Sequence, residues 1–124
     1  MPHIILECTS NLLEKDNLMP ALEAMHNALA MIPTFRISQV KSRTFVHDNF
    51  RVGDGQTRMF AHVTLGIMPG RSVELQKQAG QAILDVMKDK FSKSYATEKC
   101  DLTVELREFR EEVYFKISSF KVLD

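Results

Sequence analysis

Residues 59–91 read MFAHVTLGIMPGRSVELQKQAGQAILDVMKDKF, and their pattern decides how this chain folds. The stretch Met59–Ile67 is an apolar run of strand length, and Pro69-Gly70 predicts a turn directly after it. Ser72 is the expected N-cap of a following helix, with the acidic Glu74 in its first turn. Apolar residues recur along this helix at helical spacing: Ala79, Ile83, Val86, Met87 and Phe91. The stretch therefore predicts a strand, a tight turn and an amphipathic helix.

The chain on the C-terminal side of this helix returns to a strand pattern. Apolar and polar residues alternate over residues 102–107 (LTVELR), which is typical of a strand with one buried face. Residues 113–117 (VYFKI) alternate in the same way and predict either a short final strand or an extended arm.

The first half of the chain begins with a strand and a helix. Residues 2–8 (PHIILEC) predict the strand, and Asp16 or Asn17 is expected to cap a helix that tolerates Pro20 in its first turn. Pro33 is expected to close this helix. Its apolar positions also recur at helical spacing: Leu18, Leu22, Met25 and Leu29.

A second strand and a turn complete this half. Residues 40–47 (VKSRTFVH) alternate with a period of two and therefore predict a strand. Lys41 and Arg43 share one face of it with Phe45, which is unusual for plain core packing. In the segment RVGDGQ that follows, Asp54-Gly55 predicts a tight turn that folds the chain back into Met59–Ile67.

The order of these elements amounts to two successive βαβ units. We predict an α+β fold in which tandem β-α-β pseudo-repeats, at about residues 2–57 and 58–124, form a single domain over residues 1–124. Because βαβ crossovers are right-handed, we expect one four-stranded mixed sheet with both helices on one face. Apolar strand residues on the other face predict that a partner covers it, so we expect an oligomer.

The composition excludes some classes of partner. The 124 residues contain 16 basic and 16 acidic side chains, so no overall positive field is present to attract nucleic acid or an anionic membrane. A local cluster of cations can still hold a small anion. Cys8 and Cys100 lie far apart without a CxxC partner, and no segment has the length of a membrane-spanning helix. We therefore expect two reduced thiols in a cytoplasmic protein.

Pro2 is the first candidate catalytic residue, because a proline behind the initiator methionine has no obvious role in folding. If Met1 is removed, Pro2 carries a secondary amine. α-Amino groups titrate near about pH 8, and burial or nearby cations lower that pKa toward the range that suits a general base. The alternative is that Pro2 is incidental. While Met1 stays attached, the Pro2 nitrogen is an amide without a basic lone pair, although methionine before proline is normally trimmed.

Three cations are candidates for binding an anionic substrate. Arg71 directly precedes Ser72, so its guanidinium is expected beside the free N–H groups of a helix start, a combination that suits a carboxylate. Lys41 and Arg43 share a strand face, and at least one of them is expected to point inward or into an interface. The alternative for all three is a solvated surface position.

The other reactive residue types point to structural roles. The four histidines show no metal-ligand spacing, neither cysteine has a motif that marks a nucleophile, and the GxG-like fragments match no nucleotide-binding fingerprint. Glu7, a carboxylate inside the first strand, is expected to be paired or at an edge. The sequence therefore predicts neither a metal nor another cofactor.

Five segments match a known family in the same order and spacing: PHIILECTSN at 2–11, VKSR at 40–43, DGQ at 54–56, HVTLGI at 62–67 and GRSVELQKQAG at 70–80. On these residues the chain resembles the 5-carboxymethyl-2-hydroxymuconate isomerases of the tautomerase superfamily. That superfamily includes 4-oxalocrotonate tautomerase and macrophage migration inhibitory factor. The matching region spans roughly two-thirds of the chain, and the part after Phe91 matches only loosely.

The resemblance implies a duplicated β-α-β fold assembled as a homotrimer, with a pseudo-sixfold arrangement of βαβ units. It also implies a mature chain that begins at Pro2, whose amine is the base of a cofactor-free proton shift between an enol and its conjugated ketone. The implied substrate is 5-carboxymethyl-2-hydroxymuconate or a similar unsaturated 2-hydroxy acid from homoprotocatechuate breakdown. Pro2 would take the 2-hydroxyl proton and return a proton at C-5, while arginines bind the carboxylates and polarise the 2-oxo group.

Pro2 and Arg71 match the family pattern by position, whereas Lys41 stands where the family more typically has arginine. A lysine keeps the charge but loses the planar two-pronged contact, and Arg43 on the same face can share the task. Two alternatives stay open. One is a related proline-based decarboxylase or dehalogenase, and the other is a non-catalytic trimeric ligand-binding module with the same fold.

Overall fold

The computed structural model describes residues 1–121, and its elements follow the predicted order. Within these residues, strands β1 to β4 span His3–Thr9, Lys41–His47, Met59–Ile67 and Cys100–Glu108. Helices α1 to α3 span Met19–Ala30, Val73–Lys90 and Ser92–Ala96, and short 3₁₀ turns cover Ile37–Gln39 and Glu111–Val113. The end of the predicted second repeat, residues 122–124, lies outside the described part of the chain.

The strands form one mixed sheet in the order β2-β1-β3-β4. β1 pairs in parallel with β2 and antiparallel with β3, and β3 pairs in parallel with β4. Each parallel pair is therefore connected through a helix, which confirms the predicted four-stranded mixed sheet. The register puts His3 between Lys41 of β2 and Gly66 of β3.

The hydrophobic core lies between the sheet and the helices. Alternate residues of β1, among them Ile4, Leu6 and Cys8, are fully buried on this side. The helices contribute the buried residues Met25, Leu29, Ile83 and Met87, and Phe91 between α2 and α3 is buried as well. The residues between them, His3, Ile5 and Glu7, are only half-buried, because no helix of residues 1–121 covers the other face of the sheet. We call this second surface the open face, represented by Ile5, Glu7, Arg43 and Phe45.

The helix starts differ from each other in how they are capped. The Ser72 hydroxyl accepts a hydrogen bond from the Leu75 N–H at 3.2 Å, which confirms the predicted cap of α2. The predicted cap of α1 is wrong, because its N-cap is Leu18, without a side-chain hydrogen bond. Asp16 and Asn17 lie exposed in the preceding turn. Burial of the Leu18 side chain in the core fixes the helix start one residue later than the sequence indicated.

The segment between β2 and β3 contains the predicted tight turn, but the turn does not pair the two strands. Val52 and Gly55 form an isolated antiparallel bridge, with Gly53 at a φ of 62°. The expected direct return of the chain into a neighbouring strand is wrong, because β1 lies between β2 and β3. The turn is therefore local, and pairing with β1 organises both strands.

The chain after β4 forms an arm that runs back toward residue 1. No strand is present in residues 109–121, so of the two predicted options the arm is confirmed for the described residues. Phe115 and Ile117 are 87% and 99% exposed. Among residues 1–121, no helix has the length and apolar character needed to cross a membrane.

Candidate active site

Pro2 lies directly before β1, beside the point where β2 begins. The residue is buried, and its carbonyl accepts a hydrogen bond from the Lys41 N–H at 2.9 Å. This bond continues the pairing of β1 with β2, so the sheet holds the backbone of Pro2. Such a position is typical of a group that has to present one atom in a fixed direction.

The start of the chain lies in surroundings that disfavour positive charge. With Met1 attached, the pKa of the N-terminal ammonium is lowered from 8.0 to about 6. Burial is the main cause, and the positive charges of Lys116, Arg71 and Lys41 add to it. A chain that begins at Pro2 would carry its amine one residue further along the backbone, where consecutive Cα atoms are about 3.8 Å apart.

Arg71 is held by the loop that follows α1. Its Nε donates to Thr34 Oγ1 at 2.9 Å, and its Nη2 donates to the Thr34 carbonyl at 3.1 Å. The guanidinium carbon lies 4.0 Å from the centre of the Phe35 ring. Burial lowers the pKa of Arg71 from its ordinary value, yet an arginine stays charged at neutral pH. The side chain is therefore a fixed cation immediately before the N-cap Ser72.

The backbone of Thr34 explains how one residue offers two oxygens to Arg71. Its φ is 76°, in the left-handed region that β-branched residues rarely adopt. Strain of this kind persists where the surrounding structure holds it, and it concentrates at functional sites. The loop conformation thus orients the guanidinium.

Lys41 lines a cavity of about 280 Å³ between the start of β1 and the arm. The other lining residues are His3 and residues 114–120 of the arm, and none of them is acidic. Lys41 Nζ lies 5.8 Å from the centre of the Phe120 ring. The cavity therefore offers positive charge without a compensating carboxylate.

Lys116, on the arm, is a residue of this site that the sequence analysis missed. Its Nζ donates to Met1 Sδ at 2.8 Å and to Gln39 Oε1 at 3.3 Å. Among the three cations near the N-terminal amine, it lowers the pKa of that amine most. The alternating pattern of residues 113–117 predicted an arm, but no sequence signal predicted its path back to the start of the chain.

Arg43 lies away from this cluster, on the open face. Its Nη1 donates to His3 Nδ1 at 3.1 Å, and it lines a neighbouring cavity of about 480 Å³ that shares His3 and Tyr114 with the cavity of Lys41. Arg43 is not among the charges that act on the N-terminal amine. Lys41 and Arg71 thus lie close enough for their charges to act on the N-terminal amine, whereas Arg43 pairs with His3.

The remaining candidates have structural partners. Glu7 Oε1 lies 2.9 Å from His47 Nε2, so the carboxylate is paired as expected. Cys8 and Cys100 are both free thiols, and burial raises the pKa of each to about 11. Within residues 1–121, no group of three or more His, Cys, Asp and Glu side chains is placed to hold a metal ion.

Comparison with known proteins points to one family. The family model described as 5-carboxymethyl-2-hydroxymuconate isomerase matches residues 2–122. The chain is 30% identical over 124 residues to a 5-carboxymethyl-2-hydroxymuconate Delta-isomerase of Escherichia coli, covering 99% of this chain and 98% of that relative.

Solved structures agree with this result. A 5-carboxymethyl-2-hydroxymuconate isomerase from Deinococcus radiodurans R1 superposes with a TM-score of 0.87 at 28% identity, covering 95% of this chain and 90% of that one. A fused 4-OT wild type symmetric trimer gives a TM-score of 0.57 at 14% identity, with 86% and 85% of the two chains covered. At that identity the likeness concerns the fold alone.

Proposed function

This chain belongs to the 5-carboxymethyl-2-hydroxymuconate isomerase family, and from that premise we propose how it works and on what. It is an isomerase with the tautomerase fold. The proposed substrate is 5-carboxymethyl-2-hydroxymuconate or a similar unsaturated 2-hydroxy acid with two or three carboxylates, as in the breakdown of aromatic compounds. The proposed reaction is a cofactor-independent enol–keto tautomerisation with the amine of Pro2 as the general base.

The proposed reaction moves one proton and changes no oxidation state. The neutral Pro2 amine takes the proton of the 2-hydroxyl group, and the electrons of that O–H bond form the 2-oxo group. The double bonds shift along the chain of the substrate, and the Pro2 ammonium returns a proton at C-5. A base for this work needs a pKa near the operating pH, because it has to accept and release a proton in one cycle.

One observation carries the proposal: the start of the chain is buried beside three cations and has no acidic neighbour among the groups that shift its pKa. An ordinary α-amino group is mostly protonated at neutral pH and is then no base. Burial and neighbouring positive charge both favour the neutral amine. The same cations suit an anionic substrate, so binding and base activation have a common physical origin.

Arg71 and Lys41 are the proposed groups that stabilise negative charge on the substrate. The two bonds to Thr34 use the Nε hydrogen and one Nη2 hydrogen of Arg71, so both Nη1 hydrogens and the second Nη2 hydrogen are left for a carboxylate or the 2-oxo oxygen. Lys41 offers a second positive charge, in the lining of the 280 Å³ cavity. Oriented donors of this kind stabilise an oxyanion most strongly where water is excluded.

We further propose a homotrimer in the cytoplasm. The open face of the sheet carries Ile5 and Phe45, and the latter is 52% exposed, so a partner surface is needed to bury it. A relative in fold is a symmetric trimer, which makes three copies the natural choice. Two free thiols are consistent with a reducing compartment.

The test compares processed and unprocessed protein on a 2-hydroxymuconate-type dienol, with ketonisation followed by ultraviolet absorbance. We expect the chain that begins at Pro2 to be active and the Pro2→Ala variant to be slower by about 100-fold or more. The same chain with Met1 retained is the matched control, since its Pro2 nitrogen is an amide and has no basic lone pair. Mass spectrometry of each sample establishes where the chain starts. Equal rates for parent and Pro2→Ala, or binding of the dienol without turnover, would favour the ligand-binding alternative.

A further inference from the structure

Lys116 is a cation whose hydrogen-bond partners are both uncharged. Its Nζ contacts a thioether sulfur at 2.8 Å and an amide oxygen at 3.3 Å, both uncharged. No carboxylate forms an ion pair with it among residues 1–121. Lys116 is an exposed residue, so water rather than a carboxylate solvates its ammonium, and its remaining N–H donors are accessible to an anionic ligand.

Processing of the chain removes one of these partners. The Sδ atom that accepts from Lys116 belongs to Met1, which is absent from a chain that begins at Pro2. The ammonium then keeps Gln39 and stays in the lining of the 280 Å³ cavity, together with Lys41. Removal of Met1 therefore exposes the base and frees a cation beside it in the same step.

Contacts of Tyr114, two residues before Lys116, hold this part of the arm against the sheet. The Tyr114 hydroxyl lies 3.2 Å from His3 Nε2, and the Tyr114 ring stacks on Phe109 with 4.9 Å between centroids. Phe109 in turn lies edge-on to the His3 ring at a centroid distance of 5.8 Å. These contacts tie the arm to β1 two residues before Lys116.

The number of cations then bears on the substrate. Lys41, Arg71 and Lys116 all act on the N-terminal amine, and none of the residues that line the cavity is acidic. The two ends of a muconate chain account for two carboxylates, and a carboxymethyl substituent adds a third. Three unbalanced cations fit a substrate with three carboxylates better than one with two, because each desolvated carboxylate needs its own partner.

We propose that Lys116 binds one of three carboxylates of the substrate and makes the site selective for a tricarboxylate over a dicarboxylate. This inference rests on the proposed function and names a further substrate-binding residue for it. The recognition is a charge-assisted hydrogen bond from the arm, additional to those from Arg71 and Lys41.

The experiment measures kcat/KM of the processed enzyme for 5-carboxymethyl-2-hydroxymuconate and for 2-hydroxymuconate, which lacks the carboxymethyl group. Loss of a charge-assisted hydrogen bond predicts that Lys116→Met lowers the ratio of the two kcat/KM values by about 10- to 100-fold. The ratio is informative because any change in the pKa of Pro2 affects both substrates alike. Lys116→Arg is expected to keep most of the selectivity, since it preserves the charge.

Lys121→Met is the matched control, because this lysine lies on the same arm and outside the cavity lining. It is expected to leave the ratio unchanged. An unchanged ratio in Lys116→Met, or an equal drop in Lys121→Met, would overturn the inference while the proposed function stands if Pro2→Ala is still slow. A parent enzyme that turns over neither substrate would instead overturn the proposed function itself.

Discussion

At the scale of single residues, His3 is an uncharged side chain that connects Arg43 to Tyr114 of the arm. Its Nδ1 accepts a hydrogen bond from Arg43 at 3.1 Å, so the ring hydrogen lies on Nε2, which donates to the Tyr114 hydroxyl at 3.2 Å. Burial, then Arg43 and Lys41, lower the pKa of His3 below 6.5, and the ring is neutral at pH 7. A neutral His3 thus links the arm to β1 without adding a charge to the site.

The residues of the candidate site could be proposed from the sequence where a local feature marks them. Pro2 was marked by its place behind the initiator methionine, Arg71 by the turn before Ser72, and Lys41 by the strand alternation. Lys116 carries no such mark, because only the path of the arm brings it to the start of the chain. Arg43 has the same alternation as Lys41, and only the three-dimensional structure separates their environments.

Arg71 gives the prediction that belongs to this scale. Arg71→Ala is expected to lower kcat by about 100-fold or more, because a fixed donor to the developing oxyanion is lost. Arg71→Lys is expected to fall between the parent and the alanine variant, since the charge stays while the two-pronged hold on Thr34 is lost. Steady-state kinetics on the dienol measure both effects.

Arg36→Ala is the control for this series, because Arg36 is an exposed arginine in the loop after α1, two residues from the Thr34 that holds Arg71. It is expected to leave kcat and KM unchanged. If Arg71→Ala behaved like Arg36→Ala, Arg71 would be a surface cation without a role in the reaction.

At the scale of elements, the periodic patterns predicted all four strands and both long helices, since side-chain burial follows the local period. The cap of α1 was wrong because tertiary burial of Leu18 decides where that helix begins. The return from β2 into β3 was wrong because a local turn signal carries no information on which strand lies between them. The direction of the arm could not be predicted either, because a local pattern does not show where a segment packs.

The arm depends on a glycine of β3, which leads to a prediction about Gly66. A Cβ at this position would lie 2.5 Å from Cζ and 2.7 Å from Cε1 of Phe109, so the ring has to move. Phe109 stacks on Tyr114, and its displacement is expected to shift Lys116. Gly66→Ala should therefore lower the tricarboxylate to dicarboxylate ratio, with a loss of stability of about 1–3 kcal/mol from overpacking.

Gly80→Ala is the matched control, since the helix α2 leaves open space around that position. It is expected to keep the ratio and to raise stability by about 0.5–1 kcal/mol, because alanine is the better helix former. Thermal unfolding and the two kcat/KM values give both readouts. A Gly66→Ala enzyme with the parent ratio would show that the arm is held by other contacts.

At the scale of the whole molecule, the open face of the sheet is the surface that we expect a second copy of the chain to cover. Both long helices pack on the opposite face, and within residues 1–121 the half-buried and exposed side chains of β1 and β2, among them Ile5 and Phe45, have no helix over them. The sequence predicted this imbalance, because apolar residues occur on both faces of the strands. It did not predict that Phe115 and Ile117 of the arm would be exposed as well.

Phe45 provides the prediction for assembly. Phe45→Asp is expected to change the native mass, measured by sedimentation equilibrium, from three times the 14.2 kDa chain to a single chain. The reason is that a charge on a covered face loses its hydration without gaining a partner. Tyr95→Asp is the control, since Tyr95 is 47% exposed on α3, away from the sheet face. A trimer that survives Phe45→Asp would mean that the open face is not the interface.

The central claim is that the amine of Pro2 is neutral at working pH, and its titration tests the claim most directly. The measurement is the ¹⁵N chemical shift of Pro2 against pH in a processed chain with labelled proline. Because burial and the cations Lys116, Arg71 and Lys41 favour the neutral form, we predict a pKa below the ordinary α-amino value of about 8 and a rise in kcat/KM as pH increases through it. Lys116→Met is expected to raise that pKa. A Pro2 nitrogen that is still fully protonated at about pH 8 would contradict the account.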